Sequence, residues 1–228
     1  MAAGSPSCLP RETLTFLRAL KRNNRREWFQ PRKEQFEADV RAPMLAIVER
    51  LANDLHALAP EIVVDPKTAM YRIYRDTRFS ENKTPYKTHM AAVFPWRGLA
   101  KHEGAGLYFH VSPDEVWMGG GMYAPQTAQI HAVREHIAAN VRRLRTIVES
   151  PGFRRHIGRL EGERLERVPR GFPKDHEAAE YLKYRQFLAG RELPAAFATN
   201  PKFYRTLVTV FGQVAPLARF LNEPLVKN

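Results

Sequence analysis

The sequence has little cysteine: Cys8 is the only one among 228 residues. A single cysteine cannot form a disulfide within the chain, which excludes the disulfide-stabilised class of small secreted domains. Such cysteine usage is typical of reducing compartments, and we therefore expect a cytoplasmic protein.

Long apolar runs are also lacking. No stretch approaches the roughly 18 consecutive apolar residues of a membrane-spanning helix, so no membrane partner is predicted. The first ten residues do not show the basic stretch and apolar core of a secretory signal. We expect residues 1–9 to form a flexible tail and residues 10–228 to form a single α+β domain.

Acidic residues are outnumbered, with 24 Asp and Glu against 36 Lys and Arg, and the net charge is +12. A positive surplus attracts anions, from phosphorylated metabolites to nucleic acid. The basic residues are spread along the chain, without the spacing of a zinc finger or a helix-turn-helix motif. His131 and His136 are five residues apart instead of the three or four that place two metal ligands on one helix face. We predict neither a metal nor a cofactor.

Apolar residues recur with helical spacing near both ends of the chain. From Phe36 to Leu58 they follow steps of three and four, and Pro43 within this stretch predicts a kink or two helices that meet near Arg41. A helical period returns after Pro125 and again over Pro201 to Leu221.

The region between these helices shows strand character. Four short segments are rich in aromatic and β-branched residues: Met70–Tyr74, Met90–Trp96, Leu107–Val111 and Glu115–Met118. Their connections are too short for crossover helices, which favours antiparallel pairing. The sequence therefore predicts an α+β fold with a central antiparallel meander of about four strands over residues 69–119, flanked by N-terminal and C-terminal helices.

The stretch from residue 71 to residue 89 concentrates the groups that can bind an anion. Its five cations are Arg72, Arg75, Arg78, Lys83 and Lys87, and the arginine side chain suits carboxylate and phosphate because it can bind both in two places at once. Tyr74 adds a hydroxyl donor or a stacking face. If chemistry follows binding, Asp76 would be the base and Tyr86 the acid. Strand alternation places Arg72 and Arg75 on opposite faces, so whether they share one pocket stays open.

A second candidate element is the glycine turn 119–125, which begins with Gly119–Gly121 and which we expect between a strand and a helix. Glycine lets the backbone approach a ligand closely, so Gly120 and Gly121 are predicted to complete a basic pocket with the 72–89 loop. The N-terminus of the following helix would offer N–H groups to an anion. The alternative is a β-bulge or close packing against a neighbouring strand.

Two other functions remain open. The same basic surface, extended by Trp96, Arg97 and Lys101, would suit a nucleic-acid-binding module. A non-catalytic scaffold would instead use its arginines in structural Arg–Asp networks. The sequence does not decide whether the protein is an enzyme, nor its oligomeric state.

The segment Arg72–Lys87 reads RIYRDTRFSENKTPYK. It resembles the R-I-Y-R-D-x-R-F-S-x-x-K-x-P-Y-K-like signature of a bacterial and fungal family known only as a domain of unknown function. The resemblance covers most of the chain, from the segment Asn24–Phe29 to Arg191. It implies one domain, and it implies neither a reaction nor a catalytic residue.

Overall fold

The computed structural model describes residues 6–78 and 81–226. The helices of this part are α1 (Arg11–Arg22), α2 (Arg26–Phe29), α3 (Lys33–Phe36), α4 (Ala42–Leu58), α5 (Pro66–Ala69), α6 (Thr127–Ala139), α7 (Val141–Val148), α8 (Pro151–His156), α9 (Ala179–Leu182) and α10 (Phe203–Asn222). The strands are β1 (Met90–Phe94), β2 (Gly106–Val111), β3 (Glu115–Met122) and β4 (Phe187–Pro194). Short 3₁₀ segments at Gln30–Arg32 and Ala195–Thr199 complete the regular structure.

The four strands form one antiparallel sheet in the order β1-β2-β3-β4. This confirms the predicted α+β class and its four-stranded antiparallel sheet. The sheet differs from the prediction in one strand. Its fourth strand is β4, and the segment Met70–Tyr74 does not form a strand.

The segment Met70–Tyr74 makes only isolated bridges, to Ala92 and to Tyr86. The Arg75 N–H donates to the Pro85 carbonyl at 2.9 Å. Proline has no N–H to donate in return, so the ladder cannot continue past this pair. The predicted first strand is therefore an irregular segment that follows the edge of β1.

Strand β4 was not among the strand segments that the sequence predicted. It pairs with β3 along its whole length, from Met122 opposite Phe187 to Glu115 opposite Pro194. Its centre, with Gly190 followed by two charged residues, has little intrinsic strand preference. The pairing with β3 decides its conformation.

The N-terminal helices meet where the sequence predicts. A π-helical turn, Glu37–Arg41, separates α3 from α4, and Pro43 lies in the first turn of α4. Proline is tolerated there because the N–H that it lacks would have no helical acceptor. The expected junction near Arg41 is confirmed.

Helix α10 covers one face of the sheet. Phe211 packs against Phe94 and Phe109, with ring centroids 5.8 and 6.4 Å apart. In β2 the side chains of Leu107, Phe109 and Val111 are buried on this face, while the alternate residues point to the other side. The core thus occupies one side of the sheet and leaves the other face open.

The start of the chain differs from the expected tail. Leu9 is buried, and its N–H donates to the Ala198 carbonyl at 2.8 Å. The Tyr204 N–H donates to the Ser7 carbonyl at 2.9 Å. Burial of the leucine side chain fixes residues 6–9 against the domain, and residues 1–5 lie outside the described part.

Among the helices of the described ranges, none is both long and apolar enough to span a bilayer.

Candidate functional site: two cavities beside the segment 71–89

The open face of the sheet carries a row of polar and aromatic side chains. Tyr108 and His110 of β2 alternate with the buried residues of that strand and are half-buried. His110 lies opposite Trp117 of β3, and Tyr108 lies opposite Gly119. Gly119 in turn faces Gly190 of β4. Tyr108 and His110, whose side chains can form hydrogen bonds, therefore lie near Gly119 and Gly190, which have no side chain.

The glycines provide room for the indole of Trp117. A Cβ on Gly190 would lie 2.7 Å from Cε2 of this ring, and one on Gly119 would lie 2.9 Å from Cη2. Real Cβ atoms do not approach so closely, so the indole rests on bare backbone. The result is a flat apolar floor across β3 and β4.

Gly120 and Gly121 lie inside β3 and not in a turn before a helix. A Cβ on Gly120 would overlap the carbonyl oxygen of Gly106, and one on Gly121 would overlap that of Phe187. Gly121 also has a φ of +122°, which other residues rarely adopt. The close strand packing considered as an alternative is thus present, and both glycines still face a cavity.

This cavity, here called the sheet-face cavity, has a volume of about 680 Å³. The side chains over the floor come from the segment before β1, the β1–β2 connection and the residues after β3. Those that the site uses are Tyr71, Lys87, His89, His102, Tyr108, His110, Trp117 and Tyr123, and the apolar lining includes Val93, Pro95 and Leu188. Two carboxylates, Glu103 and Glu161, also line it.

A hydrogen-bonded chain crosses the cavity wall. The Nε2 atom of His110 lies 3.1 Å from Oε1 of Glu115, and its Nδ1 atom lies 3.2 Å from the hydroxyl of Tyr108. An ionised carboxylate only accepts hydrogen bonds, so Nε2 carries the proton and Nδ1 accepts from Tyr108. Burial raises the pKa of the Tyr108 hydroxyl, which keeps it protonated.

Three histidines among the described residues line the cavity, and the pKa of each of them, His89, His102 and His110, is lowered, which favours the neutral form at pH 7. The pKa of His89 is lowered to about 4, first by burial and then by the neighbouring His110, Lys87 and Arg75. Burial also lowers the pKa of His110, against the opposing effect of Glu115. The rings of His89 and His110 lie 5.5 Å apart. A neutral imidazole can donate or accept a hydrogen bond, and it can take a proton from a bound molecule.

One end of the sheet-face cavity is positively charged. The ammonium groups of Lys87 and Lys101 lie 4.9 and 4.3 Å from the ring centre of Tyr71. The pKa of Lys87 is lowered by burial first and then by repulsion from Arg72, Lys101 and Arg75. Within residues 6–78 and 81–226, no carboxylate pairs with Lys87.

A second cavity lies beside α2 and is here called the basic hollow. It has a volume of about 480 Å³. Its lining consists of Arg26, Gln30, Arg72, Tyr74, Arg75, Thr77, Lys83, Pro85 and Tyr86. Four cations and no carboxylate are among these described lining residues. Arg72 and Arg75 do share this hollow, since the irregular backbone does not impose the alternation of a strand.

The structure therefore divides the predicted site residues between two places. Lys87, Gly120 and Gly121 line the sheet-face cavity, whereas Arg72, Tyr74, Arg75 and Lys83 line the basic hollow. Lys83 also donates to the Thr77 carbonyl at 2.9 Å. The signature residues Phe79 and Ser80 lie outside the described residues.

Asp76 and Arg78 line neither cavity and pair at the surface. The guanidinium of Arg78 donates to both carboxylate oxygens of Asp76, at 3.1 and 2.8 Å. These bonds lower the pKa of Asp76 to about 2. So weak a base, already held by an arginine, is poorly suited to the role of general base.

Tyr86 lines the basic hollow but is 1% exposed. Its ring stacks on Phe29 with centroids 4.1 Å apart, and Asn24 forms two hydrogen bonds with its backbone, at 2.8 and 3.1 Å. Burial raises the pKa of its hydroxyl. These contacts support a packing role and argue against a role as the acid.

Of the residues proposed to extend a nucleic-acid-binding surface, Trp96 is buried, whereas Arg97 and Lys101 are exposed. Trp96 is 7% exposed and forms a bridge with Ile62. Arg97 donates to the Pro60 carbonyl at 3.1 Å, and Lys101 donates to the Thr68 carbonyl at 3.1 Å. Trp96 is therefore not available to stack on a base of single-stranded nucleic acid.

From the sequence alone, the following residues were not assigned to a site: Tyr71, His89, His102, Tyr108, His110 and Trp117. The signal was present in β2, where Tyr108 and His110 alternate with buried apolar residues. Polar side chains on one face of a central strand need a partner or a cavity. In the described ranges, no group of three or more His, Cys, Asp or Glu side chains could hold a metal ion.

Comparison with known proteins agrees with the resemblance seen in the sequence. A family model described as conserved hypothetical protein (DUF2461) matches residues 12–220. A search of the curated proteins finds no match. The family match spans both cavities and all four strands, and the chain belongs to the DUF2461 family of conserved hypothetical proteins.

Proposed function

We propose that the protein binds a small organic carboxylate in the sheet-face cavity. The apolar part of the ligand would lie on the floor formed by Trp117 and the glycines of β3. Its carboxylate would lie at the charged end, beside Lys87. The proposal keeps the anionic ligand and the glycines that the sequence predicts. It places the ligand in a cavity whose lining does not include Arg72 or Arg75.

The size and lining of the cavity support an apolar ligand body. Its volume, about 680 Å³, falls within the roughly 300–1,000 Å³ of small-molecule sites. Tyr71, Tyr108 and Trp117 present aromatic surfaces, and such surfaces favour a planar partner by stacking or edge contacts. An unbranched polar solute would leave this surface without contacts.

The single observation that carries the proposal is the unneutralised charge at Lys87. Its pKa is lowered by burial and by three other cations, Arg72, Lys101 and Arg75. A carboxylate placed there would offset both the repulsion and the loss of hydration. One carboxylate matches the single ammonium group that reaches into the cavity.

The neutral side chains would fix the orientation of the ligand. His89 can donate to, or accept from, a ligand hydroxyl or carbonyl, and it carries no charge at pH 7. Glu115 holds His110 through a 3.1 Å contact. Lys87 is the one cation among the described lining residues and two carboxylates, Glu103 and Glu161, also line the cavity, so the site should favour a monoanion over a polyanion.

Calorimetry with benzoate and with its uncharged analogue benzyl alcohol tests the proposal. We expect benzoate to bind the wild type and to raise its melting temperature with concentration, as mass action requires. The variant Lys87→Met should weaken benzoate binding at least tenfold and leave the weaker binding of benzyl alcohol unchanged.

The matched control is Lys174→Met, which removes the same charge at an exposed position. It should bind benzoate as the wild type does. Equal binding of benzoate by wild type and Lys87→Met, or equal loss in both lysine variants, would refute the proposal.

A further inference from the structure

The cavity of the proposed function leaves the most basic part of the sequence unused. Arg72, Arg75 and Lys83 belong to the segment that the sequence singles out, yet they surround the basic hollow and not the sheet-face cavity. Arg26, contributed by α2, joins them from a distant part of the chain. This convergence needs an explanation of its own.

We propose that the basic hollow is a second, separate binding site, which takes the phosphate group of a phosphorylated small molecule. The inference does not depend on the function proposed for the sheet-face cavity.

Charge is the first argument for phosphate. Among the described residues that line the hollow, four are cations and none is an aspartate or glutamate. Asp76, one of the two acidic residues of the segment 71–89, is already bound to Arg78. Four like charges around 480 Å³ repel one another, and a dianion relieves more of this repulsion than a monoanion does.

The second argument is an unused donor on Arg75. Its Nε atom is buried and, within the part of the chain that the structure describes, has no hydrogen-bond partner. A buried donor without an acceptor destabilises the protein. A phosphate oxygen is a suitable acceptor, because the guanidinium group can bind two of its oxygens together.

The wall of the hollow is held in place before any ligand binds. Asn24 bonds to both the N–H and the carbonyl of Tyr86, and Phe29 stacks on the Tyr86 ring. These contacts fasten the 72–86 segment to α2, which carries Arg26. A wall that is already ordered lowers the conformational cost of binding.

Tyr74 indicates a small molecule in place of a bare ion or a nucleic acid strand. It is 44% exposed at the edge of the hollow, so its ring can stack on the organic part of a phosphate ester. A nucleic acid strand needs several such rings in succession, and Trp96, the aromatic residue first proposed for that role, is buried.

The experiment measures binding of phenyl phosphate and of inorganic phosphate by calorimetry, at fixed ionic strength. The wild type should bind both. Arg72→Gln and Arg26→Gln each alter an exposed side chain and should weaken both ligands at least fivefold. Tyr74→Ala should weaken phenyl phosphate only. Arg170→Gln, which removes one charge from an exposed position elsewhere, should bind both as the wild type does.

Each other outcome decides against the proposal. Equal loss in Arg170→Gln would show that only net charge matters. Unchanged binding in both Arg72→Gln and Arg26→Gln would show that phosphate does not bind in the basic hollow. A thymidine 20-mer that displaces phosphate, with affinity that falls steeply with salt, would assign the hollow to nucleic acid. Benzoate binding by Arg26→Gln, measured in parallel, reports on the sheet-face cavity and separates the two proposals, because Arg26 lines the basic hollow and not the sheet-face cavity.

Discussion

The two cavities lie on either side of one chain segment and are built in different ways. The sheet-face cavity has a floor of regular strands, and its chemistry comes from burial, which shifts the pKa of His89 and Tyr108. The basic hollow is formed by an irregular segment packed on α2, and Arg26, Arg72 and Lys83 are exposed there.

The difference indicates how each site can be altered. A floor of backbone cannot change shape without disturbing the hydrogen bonds of the sheet. A wall of exposed side chains can exchange one cation for another residue at little cost in stability. We therefore expect mutations in the backbone floor of the first cavity to act on folding, and mutations of the exposed cations of the second to act on binding.

The largest effect should follow Gly120→Ala. The added Cβ would overlap the Gly106 carbonyl oxygen and lie 3.1 Å from the Cα of Leu107. Since backbone atoms cannot move aside singly, we expect a loss of about 3 kcal/mol in the free energy of unfolding, measured with urea. The control is Gly98→Ala, where φ is +82° but no atom lies within 4 Å, and strain alone costs about 1 kcal/mol. Equal losses would show that the floor of the cavity is not rigid.

Asn24→Ala should be the most damaging change on the side of the basic hollow. It removes both hydrogen bonds to the Tyr86 backbone and leaves their partners half-buried, at a cost of about 2 kcal/mol. Phosphate binding should weaken with it, whereas benzoate binding should persist. Gln35→Ala, at an exposed position, provides the comparison. A loss of benzoate binding in Asn24→Ala would contradict the independence of the two sites.

Acid should destabilise the protein through the sheet-face cavity. The pKa of His89 is about 4 in the folded state and about 6.5 in the unfolded chain. Between these values the unfolded chain binds more protons, so stability falls as the pH falls from 6.5 to 4. After allowance for partial exposure, we expect His89→Gln to reduce this loss by about 1–2 kcal/mol. His131→Gln, at an exposed site, should leave the pH dependence unchanged, and the same slope in both variants would be inconsistent with a buried neutral His89.

The smallest effect should follow Asp76→Asn. The carboxylate and its partner Arg78 are largely exposed, with 45% and 76% of their side-chain surface accessible. Exposed ion pairs contribute little to stability, so the melting temperature should not change beyond the error of the measurement. A marked decrease would support the scaffold alternative, in which Arg–Asp pairs maintain the fold.

Much of the fold could be predicted from local patterns. Helix α1, the junction near Arg41 and the strands β1 to β3 follow from apolar periodicity and from turn residues. Strand β4 could not be predicted in this way, because Gly190 is there to accommodate Trp117, a residue far away in the sequence. A contact between residues so far apart in the sequence does not show in the local sequence pattern around Gly190.

The candidate sites were predicted less completely. The sequence indicated that Arg72 and Arg75 form an anion site, but it could not supply Arg26, which α2 brings to them. It treated Lys87 as one more loop cation, whereas the path of the chain into β1 turns it toward Tyr71. Which cations share a hollow depends on tertiary packing, and the spacing of charges along a chain does not contain that information.

The position of β4 at the end of the sheet has a consequence for synthesis. A ribosome releases β1, β2 and β3 in succession, and the four helices α6 to α9 follow before residues 187–194 emerge. During that interval the outer side of β3 has no partner strand, and unpaired strand edges promote association between nascent chains. Ribosome-bound chains that end shortly before Phe187 are therefore the stage at which this protein should depend most on chaperones.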